Sequence, residues 1–264
     1  MRANIVFLGT GGDAHVVGQQ LRSCGGLLIT SGDTQIHVDP GPGSLIMAKA
    51  CNQNLRLNTG ILVTHNHLKH CNDVNQVIEA MTHAGLDKNG VLISNKTLVE
   101  GTEDLAPYLT DFHRSCLERS IILEPSRKAG INEIDIQAIA ARHSDPNALS
   151  YKLIAPNFSV CITGDTGLDE DLARFYNADV LILNVQHPGE NHHDGHLCTE
   201  EAAQIVKAAK PKLAIITHFG TKMLNTDPGF EAKVIQQRSR IKTIAAADGL
   251  MVNPISFSTG KPII

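Results

Sequence analysis

The most restrictive feature of the chain is the run Ile61-Leu62-Val63-Thr64, followed at once by His65-Asn66-His67-Leu68-Lys69-His70. A short β-branched apolar run of this kind reads as a strand buried on both faces. Its abrupt end in three histidines puts chemistry at the mouth of that strand, where α/β scaffolds place their polar residues. Alternate residues of an extended segment can turn two imidazoles toward one ion, and imidazole suits Zn, Fe or Mn. His70, one turn further on, faces a neighbouring position. The same device recurs along the chain. Apolar or alternating segments end in Arg142-His143-Ser144-Asp145, in Gly164-Asp165 and in His218-Phe219-Gly220.

Between these points the chain alternates strands and helices. Ile5-Val6-Phe7-Leu8 is a buried strand closed by Gly9-Thr10-Gly11-Gly12. That turn does not match G-x-G-x-x-G, and no helical pattern starts directly after it, which argues against a dinucleotide site. Segments 27–30 and 35–39 flank Ser31-Gly32-Asp33-Thr34, a hairpin signal. Asp39 then precedes Pro40-Gly41-Pro42-Gly43, a rigid turn that neither strand nor helix can continue through. A carboxylate so placed is positioned to support metal ligands. From Asn72 onward, Val74, Val77, Ile78 and Met81 follow helical spacing. Further helices are expected at 44–50, 105–116, 170–176 and 199–209, the last with acidic residues in its first turn, where the helix dipole favours them. Strands are expected at 91–93, 120–123, 151–154, 159–163, 180–185 and 213–217. This alternation predicts a layered α/β protein, and the lack of a linker or repeat predicts one domain over 1–264.

Composition limits the partners. With 264 residues, 42% hydrophobic, the chain can bury a full core, and its net charge of −4 argues against a polyanion partner. The one modest basic cluster, Arg238, Arg240 and Lys242, reads as solvated surface. Six scattered cysteines without a C-x-x-C pair fit a reducing compartment. No signal-peptide pattern and no apolar run of membrane-spanning length is present. A cytoplasmic protein without membrane contact is expected, and a homo-oligomer stays open.

The order of these motifs resembles the metallo-β-lactamase-fold hydrolases, whose signature is H-x-H-x-D-H followed by a distant His, a later Asp and a final His. The resemblance spans nearly the whole chain and implies an αββα sandwich, two mixed sheets with helices outside and a metal site along one edge. It casts His65, His67 and His143 as ligands of one ion, His70 and His218 as ligands of a second, and Asp165 as the bridge. Asp39 takes a supporting position. The metal implied is Zn2+, with Mn2+ or Fe2+ as alternatives. Lys69 departs from the pattern: it stands where the family has a ligating Asp, and an ammonium has no lone pair to give. One tightly bound ion is therefore expected rather than two, with Lys69 turned inward as a substitute cation.

Phe7-Leu8-Gly9-Thr10-Gly11-Gly12 and Asp194-Gly195-His196 resemble the tRNase Z and cyclic-phosphate phosphodiesterase branch, where the second segment carries a proton donor matched here by His196. The long basic arm with which tRNase Z enzymes grip tRNA has no counterpart in this chain. A small phosphodiester or cyclic phosphate is thus the expected substrate, and long structured RNA is not. Asp165, His196 and Lys69 are the expected catalytic residues. Hydrolysis of an ester, thioester or lactone stays open, as does a non-catalytic metal-binding or nucleotide-sensing protein of the same fold. His187, His192 and His193 crowd the loop of His196 and read as a polar rim, with roles as a substrate-facing edge or replacement ligands open. Cys71 and Cys198 could bind a soft metal but read as buried.

Overall fold

Strand parity sorts the apolar residues of each strand onto two faces. Along Gly60–Val63, Leu62 faces a core shared by two sheets while Ile61 and Val63 pack under helices. Both faces are covered, which is why the run is apolar throughout. The computed structural model describes residues 3–258. One sheet holds β1 (Ala3–Gly9), β2 (Cys24–Ser31), β3 (Thr34–Val38), β4 (Gly60–Val63), β5 (Val91–Ser94) and β6 (Arg119–Ile122). The other holds β7 (Lys128–Ile131), β8 (Ile134–Ala140), β9 (Leu149–Ala155), β10 (Phe158–Ile162), β11 (Val180–His187), β13 (Leu213–Thr217) and β14 (Thr243–Ala245), with β12 (Leu197–Cys198) paired to β11. A last strand, β15 (Met251–Val252), returns to the first sheet beside β1.

Each sheet is mixed in the same sense. The order β15-β1-β2-β3-β4-β5-β6 is antiparallel up to β3 and parallel beyond it. The order β14-β13-β11-β10-β9-β8-β7 is parallel up to β10 and antiparallel beyond it. Their inner faces share a core that includes Phe7, Ile29, Leu62, Tyr151, Val160 and Ile182.

Helices cover the outer faces: α1 (Ala14–Gly18), α2 (Ser44–Ala50), α3 (Leu68–Cys71), α4 (Val74–Thr82), α5 (Lys96–Glu100) and α6 (Asp111–Cys116) belong to the first half of the chain. The second half supplies α7 (Glu170–Ala173), α8 (Thr199–Ala209), α9 (Thr221–Thr226) and α10 (Pro228–Ser239). On α4, Val74, Val77, Ile78 and Met81 are all buried against the first sheet, as their spacing predicts. On α8, Ala202, Ile205, Val206 and Ala209 do the same for the second. The αββα layering that the family resemblance implies is the one observed. Among the described residues no helix is long and apolar enough to cross a membrane.

Two local expectations are corrected. The helix expected over 105–116 occupies only Asp111–Cys116, where Thr110 caps it by accepting from His113 N. Pro107 bars the helical region to the residue before it, so the turn that precedes α6 cannot join it. Conversely, α1 follows the glycine-rich turn almost directly, capped by Asp13, which accepts from Val16 N at 2.7 Å. Its five residues are too few to show a period.

Candidate metal centre

The functional side chains meet where the strand ends of the two sheets adjoin. Asp39 follows β3; His65 and His67 follow β4, with Lys69 and His70 on α3. His143 follows β8, Asp165 follows β10, His196 precedes β12 and His218 follows β13. Among the described residues, His65, His67, His143 and Asp165 bring donor atoms within 4.8 Å of one another, as do His70, Asp165 and His218.

The first group has the chemistry of a metal site. His65 Nε2 and His67 Nδ1 lie 3.0 Å apart, and His143 Nε2 lies 3.1 Å from His67 Nδ1. Asp165 Oδ2 is 3.8 Å from His65 Nε2 and 3.9 Å from His143 Nε2. Tetrahedral Zn with bonds of about 2.0–2.1 Å to nitrogen separates its ligands by roughly 3.4 Å, so these spacings suit one ion. The far ring nitrogens of His65 and His143 are fixed in the way ligating histidines require. Thr64 Oγ1 donates to Asp39 Oδ2 at 2.8 Å, which leaves its lone pair to accept from His65 Nδ1 at 3.0 Å. His143 Nδ1 donates to the Gly195 carbonyl at 2.9 Å. Burial, before any other cause, holds His65 well below the usual histidine range and also lowers His67 and His143. Neutral rings with inward lone pairs are the form a metal needs. The residues therefore fit one divalent ion.

The second group differs from the first in having an ammonium beside its donors. His70 Nε2 faces His218 Nε2 at 3.1 Å, and His218 Nε2 lies 2.8 Å from Asp165 Oδ1. Lys69 turns inward among them: its Nζ donates to the Gly12 carbonyl at 2.7 Å and lies 3.3 Å from Asp165 Oδ2 and 3.4 Å from His218 Nε2. An ammonium in contact with two of three donors repels a divalent cation at that point. Burial alone would raise Asp165, but His218, Lys69 and His70 together hold it well below the carboxylate range. Asp165 and Asp39 likewise outweigh burial at His70 and push it up to about 9. Asp39, as its sequence position suggests, supports rather than faces the centre: it accepts from Thr64 N at 2.7 Å and from His70 Nδ1 at 2.9 Å. It adopts φ 51, and His218 φ 63, conformations that L residues seldom take.

His196 stands at the mouth, its Nδ1 3.6 Å from Asp165 Oδ2 and its ring 5.0 Å from that of His143. Burial, reinforced by Lys69, His143 and His187, lowers it to about 4 against the pull of Asp165. His187 and His193 stack on each other at 5.1 Å beside His196 and belong to neither donor group. His192 points elsewhere. Cys71 is fully buried, with its thiol donating to the Asn66 carbonyl at 3.2 Å.

Several supporting residues escape a reading of the sequence. Asn184 donates to Asp165 Oδ1 at 2.8 Å, and Gln186 donates to the Gly12 carbonyl at 2.7 Å. Their signal is a polar residue inside the apolar run of β11. Gly12 is required by contact: a Cβ there would lie 2.0 Å from the His218 carbonyl oxygen. Asp145 joins the loops of His65–His67 and His143 through Asn66 N, Asn147 N, Asn95 and Thr97.

Comparison with known proteins agrees with this geometry. Residues 34–219 match the model of the Beta-lactamase superfamily domain. The uncharacterized protein MJ1374 of Methanocaldococcus jannaschii is 31% identical over 255 residues, 96% of this chain and 95% of that protein. The metallo-beta-lactamase fold protein YhfI from Bacillus subtilis superposes with a TM-score of 0.79 at 18% identity, covering 95% of this chain and 98% of its own. A diphosphatase from the PhnP family gives 0.68 at 15% identity, covering 95% and 97%. With the family model spanning most of its length and its strand-end histidines converging as they do, the chain belongs to the beta-lactamase superfamily and has the metallo-β-lactamase fold.

Proposed function

We propose that this protein is a metal-dependent hydrolase of a small phosphodiester or cyclic phosphate, working with one divalent ion and one built-in ammonium. The observation that carries the reading is Lys69 Nζ, fixed 3.3 Å from Asp165 inside the donor cluster rather than in solvent. Exchanging one ion and one carboxylate for an ammonium leaves the formal charge of the site unchanged. It thus keeps its attraction for an anion, and Lys is an effective point-charge binder of phosphate. Zn2+ is the ion proposed, with Mn2+ or Fe2+ as alternatives; His65, His67, His143 and Asp165 would hold it. When bound, such an ion polarises a phosphoryl oxygen and brings the pKa of a water toward neutrality.

The chain's own groups do the rest. Asp165, ionised and held by Asn184, orients the attacking water and steadies Lys69. Lys69 and His70 meet the negative charge of the phosphate from the side of His218. His196, at the mouth, gives its proton to the leaving oxygen, and the arriving anion favours the protonated ring that this step needs. The similarity to a PhnP-family diphosphatase supports a phosphate substrate. The lack of an inserted basic arm supports a small one.

The reading is tested with metal-loaded protein on bis-p-nitrophenyl phosphate, cyclic nucleotides, thioesters and lactones. Cleavage confined to the phosphodiesters is expected, and turnover of thioesters or lactones alone would overturn it. The ion count is tested separately. Lys69→Asp should add one tightly bound ion per chain to the number held by the unmodified protein, read by elemental analysis of both after dialysis; an unchanged count would refute the substitution.

A further inference from the structure

A third group of donors lies outside the centre. His192 Nδ1, Cys198 Sγ and a Glu201 carboxylate oxygen come within 4.8 Å of one another at the base of the loop that carries His196. His192 Nδ1 is 3.0 Å from Glu201 Oε1 and 3.8 Å from Cys198 Sγ. Zn bonds of about 2.3 Å to sulfur and 2.0–2.2 Å to nitrogen and oxygen give tetrahedral separations of roughly 3.6 Å for N···S and 3.4 Å for N···O. The observed pair of distances brackets that geometry. The group faces a surface cavity of about 430 Å³ whose wall includes His192, Glu201, Arg142 and Asp194, so water can complete the coordination.

The capping box of α8 accounts for Glu201, whose carboxylate accepts from Cys198 N, but not for a cysteine at the N-cap or for His192 beside it. Cys198 is the N-cap of α8, a position that favours Ser, Thr, Asn or Asp. A hydroxyl there would cap the helix better than a thiol. Glu201 already spends one oxygen, Oε2, on Cys198 N at 2.9 Å, and the other points at His192. The side chain of His192 is 63% exposed and still turns back to this pair. Nor does Cys198 suit nucleophilic chemistry: it is fully buried, and burial pushes its thiol up to about 11.

We infer that His192, Cys198 and Glu201 form a separate structural site for a borderline divalent ion such as Zn2+. On binding, the Cys198 Sγ–H bond breaks, the proton passes to solvent and a metal–thiolate bond forms. The site would pin the segment between His192 and Cys198. That segment supplies the Gly195 carbonyl that orients His143, and it carries His196. The assignment does not rest on the hydrolase reading.

Cobalt provides a clean test, because the candidate centre has only nitrogen and oxygen donors. Metal-free full-length protein titrated with Co2+ should develop a thiolate-to-cobalt charge-transfer band in the near ultraviolet. The band should saturate at one ion per chain for this site. It should vanish in Cys198→Ser and weaken strongly in His192→Ala, whose exposed side chain can be removed without disturbing the core. His65→Ala should leave it in place while removing an ion from the centre, so the two sites fail independently. If Cys198→Ser does not fold, His192→Ala decides. No thiolate band in the unmodified protein, or an undiminished band in His192→Ala, would overturn the assignment.

Discussion

Asp145 offers a sharp test of how the centre is held in shape. It is 5% exposed and accepts four hydrogen bonds, from Asn95 Nδ2 at 2.7 Å, Thr97 Oγ1 at 2.8 Å, Asn147 N at 2.9 Å and Asn66 N at 3.4 Å. Asn66 sits between His65 and His67, and Asp145 is two residues from His143. One carboxylate thus ties together the loops that carry three proposed ligands. Replacing it by Ala leaves several buried donors without a partner. Hydrogen bonds to a charged group contribute about 1.5–3 kcal/mol each but are not additive, and a buried donor left unpaired costs about 1–3 kcal/mol. A loss of about 4 kcal/mol in metal-free stability is expected for Asp145→Ala, measured by urea denaturation. Asp145→Asn keeps the shape and one acceptor oxygen and should lose less, although its amide then faces other donors. Both should weaken ion binding about 10–100-fold, as replacements of residues that orient metal ligands do. Competition against a chromophoric chelator measures this directly. A large stability loss with unchanged ion affinity in Asp145→Asn would refute the reasoning, because the network would then support the fold without shaping the centre.

Other consequences can be checked alongside. His196→Asn should lower turnover of a poor leaving group by about 10²–10⁴-fold with metal content intact, and the loss should shrink for p-nitrophenolate. An equal loss on both substrates would assign His196 to binding. His37 is fully buried, and its Nε2 donates to the Gly25 carbonyl at 2.8 Å. Burial lowers this ring from the ordinary 6.5 to about 4. The unfolded chain therefore takes up a proton below about 6.5 that the folded one refuses until about 4, so stability is present above this window and falls as pH drops through it. The loss reaches about 3 kcal/mol at pH 4. His37→Gln should flatten that part of the urea stability profile, and an unchanged profile would exclude the ring as its source.

What the sequence revealed and what it hid follow from the range of the interactions. The strands that end in His65, Asp165 and His218 were legible because an apolar run stops abruptly at a polar residue, and the one before His143 because apolar and polar residues alternate along it. Helix α4 was legible because four large apolar residues keep a helical period. Helix α10 was not: its buried positions are Pro228, Glu231, Ala232, Ile235 and Ser239, which form no apolar stripe. Its Glu231 is buried because it accepts from Gly189 N and from the Thr199 hydroxyl, both far away in sequence. Lys69 was visible as a departure from a motif, but its contact with Gly12 depends on a loop 57 positions earlier. The role of Asp145 was hidden for the same reason: its partners Asn66 and Asn95 lie 79 and 50 positions away. Local patterns report elements, whereas the supports of a site are long-range by construction.

The division of the centre between two sheets also has a kinetic meaning. His65, His67, Lys69 and His70 come from the first sheet's connections, while His143, Asp165 and His218 come from the second's. The last strand, β15, must then travel back to pair with β1. Such non-local pairing makes for high contact order and slow folding. The donors converge only after the sheets have docked, so an ion joins a nearly finished structure. A ligand absent from the transition state leaves the folding rate alone and slows unfolding. In a chevron experiment, added metal should lower the unfolding arm and leave the refolding arm in place, making the ion a latch on the native state rather than a guide toward it.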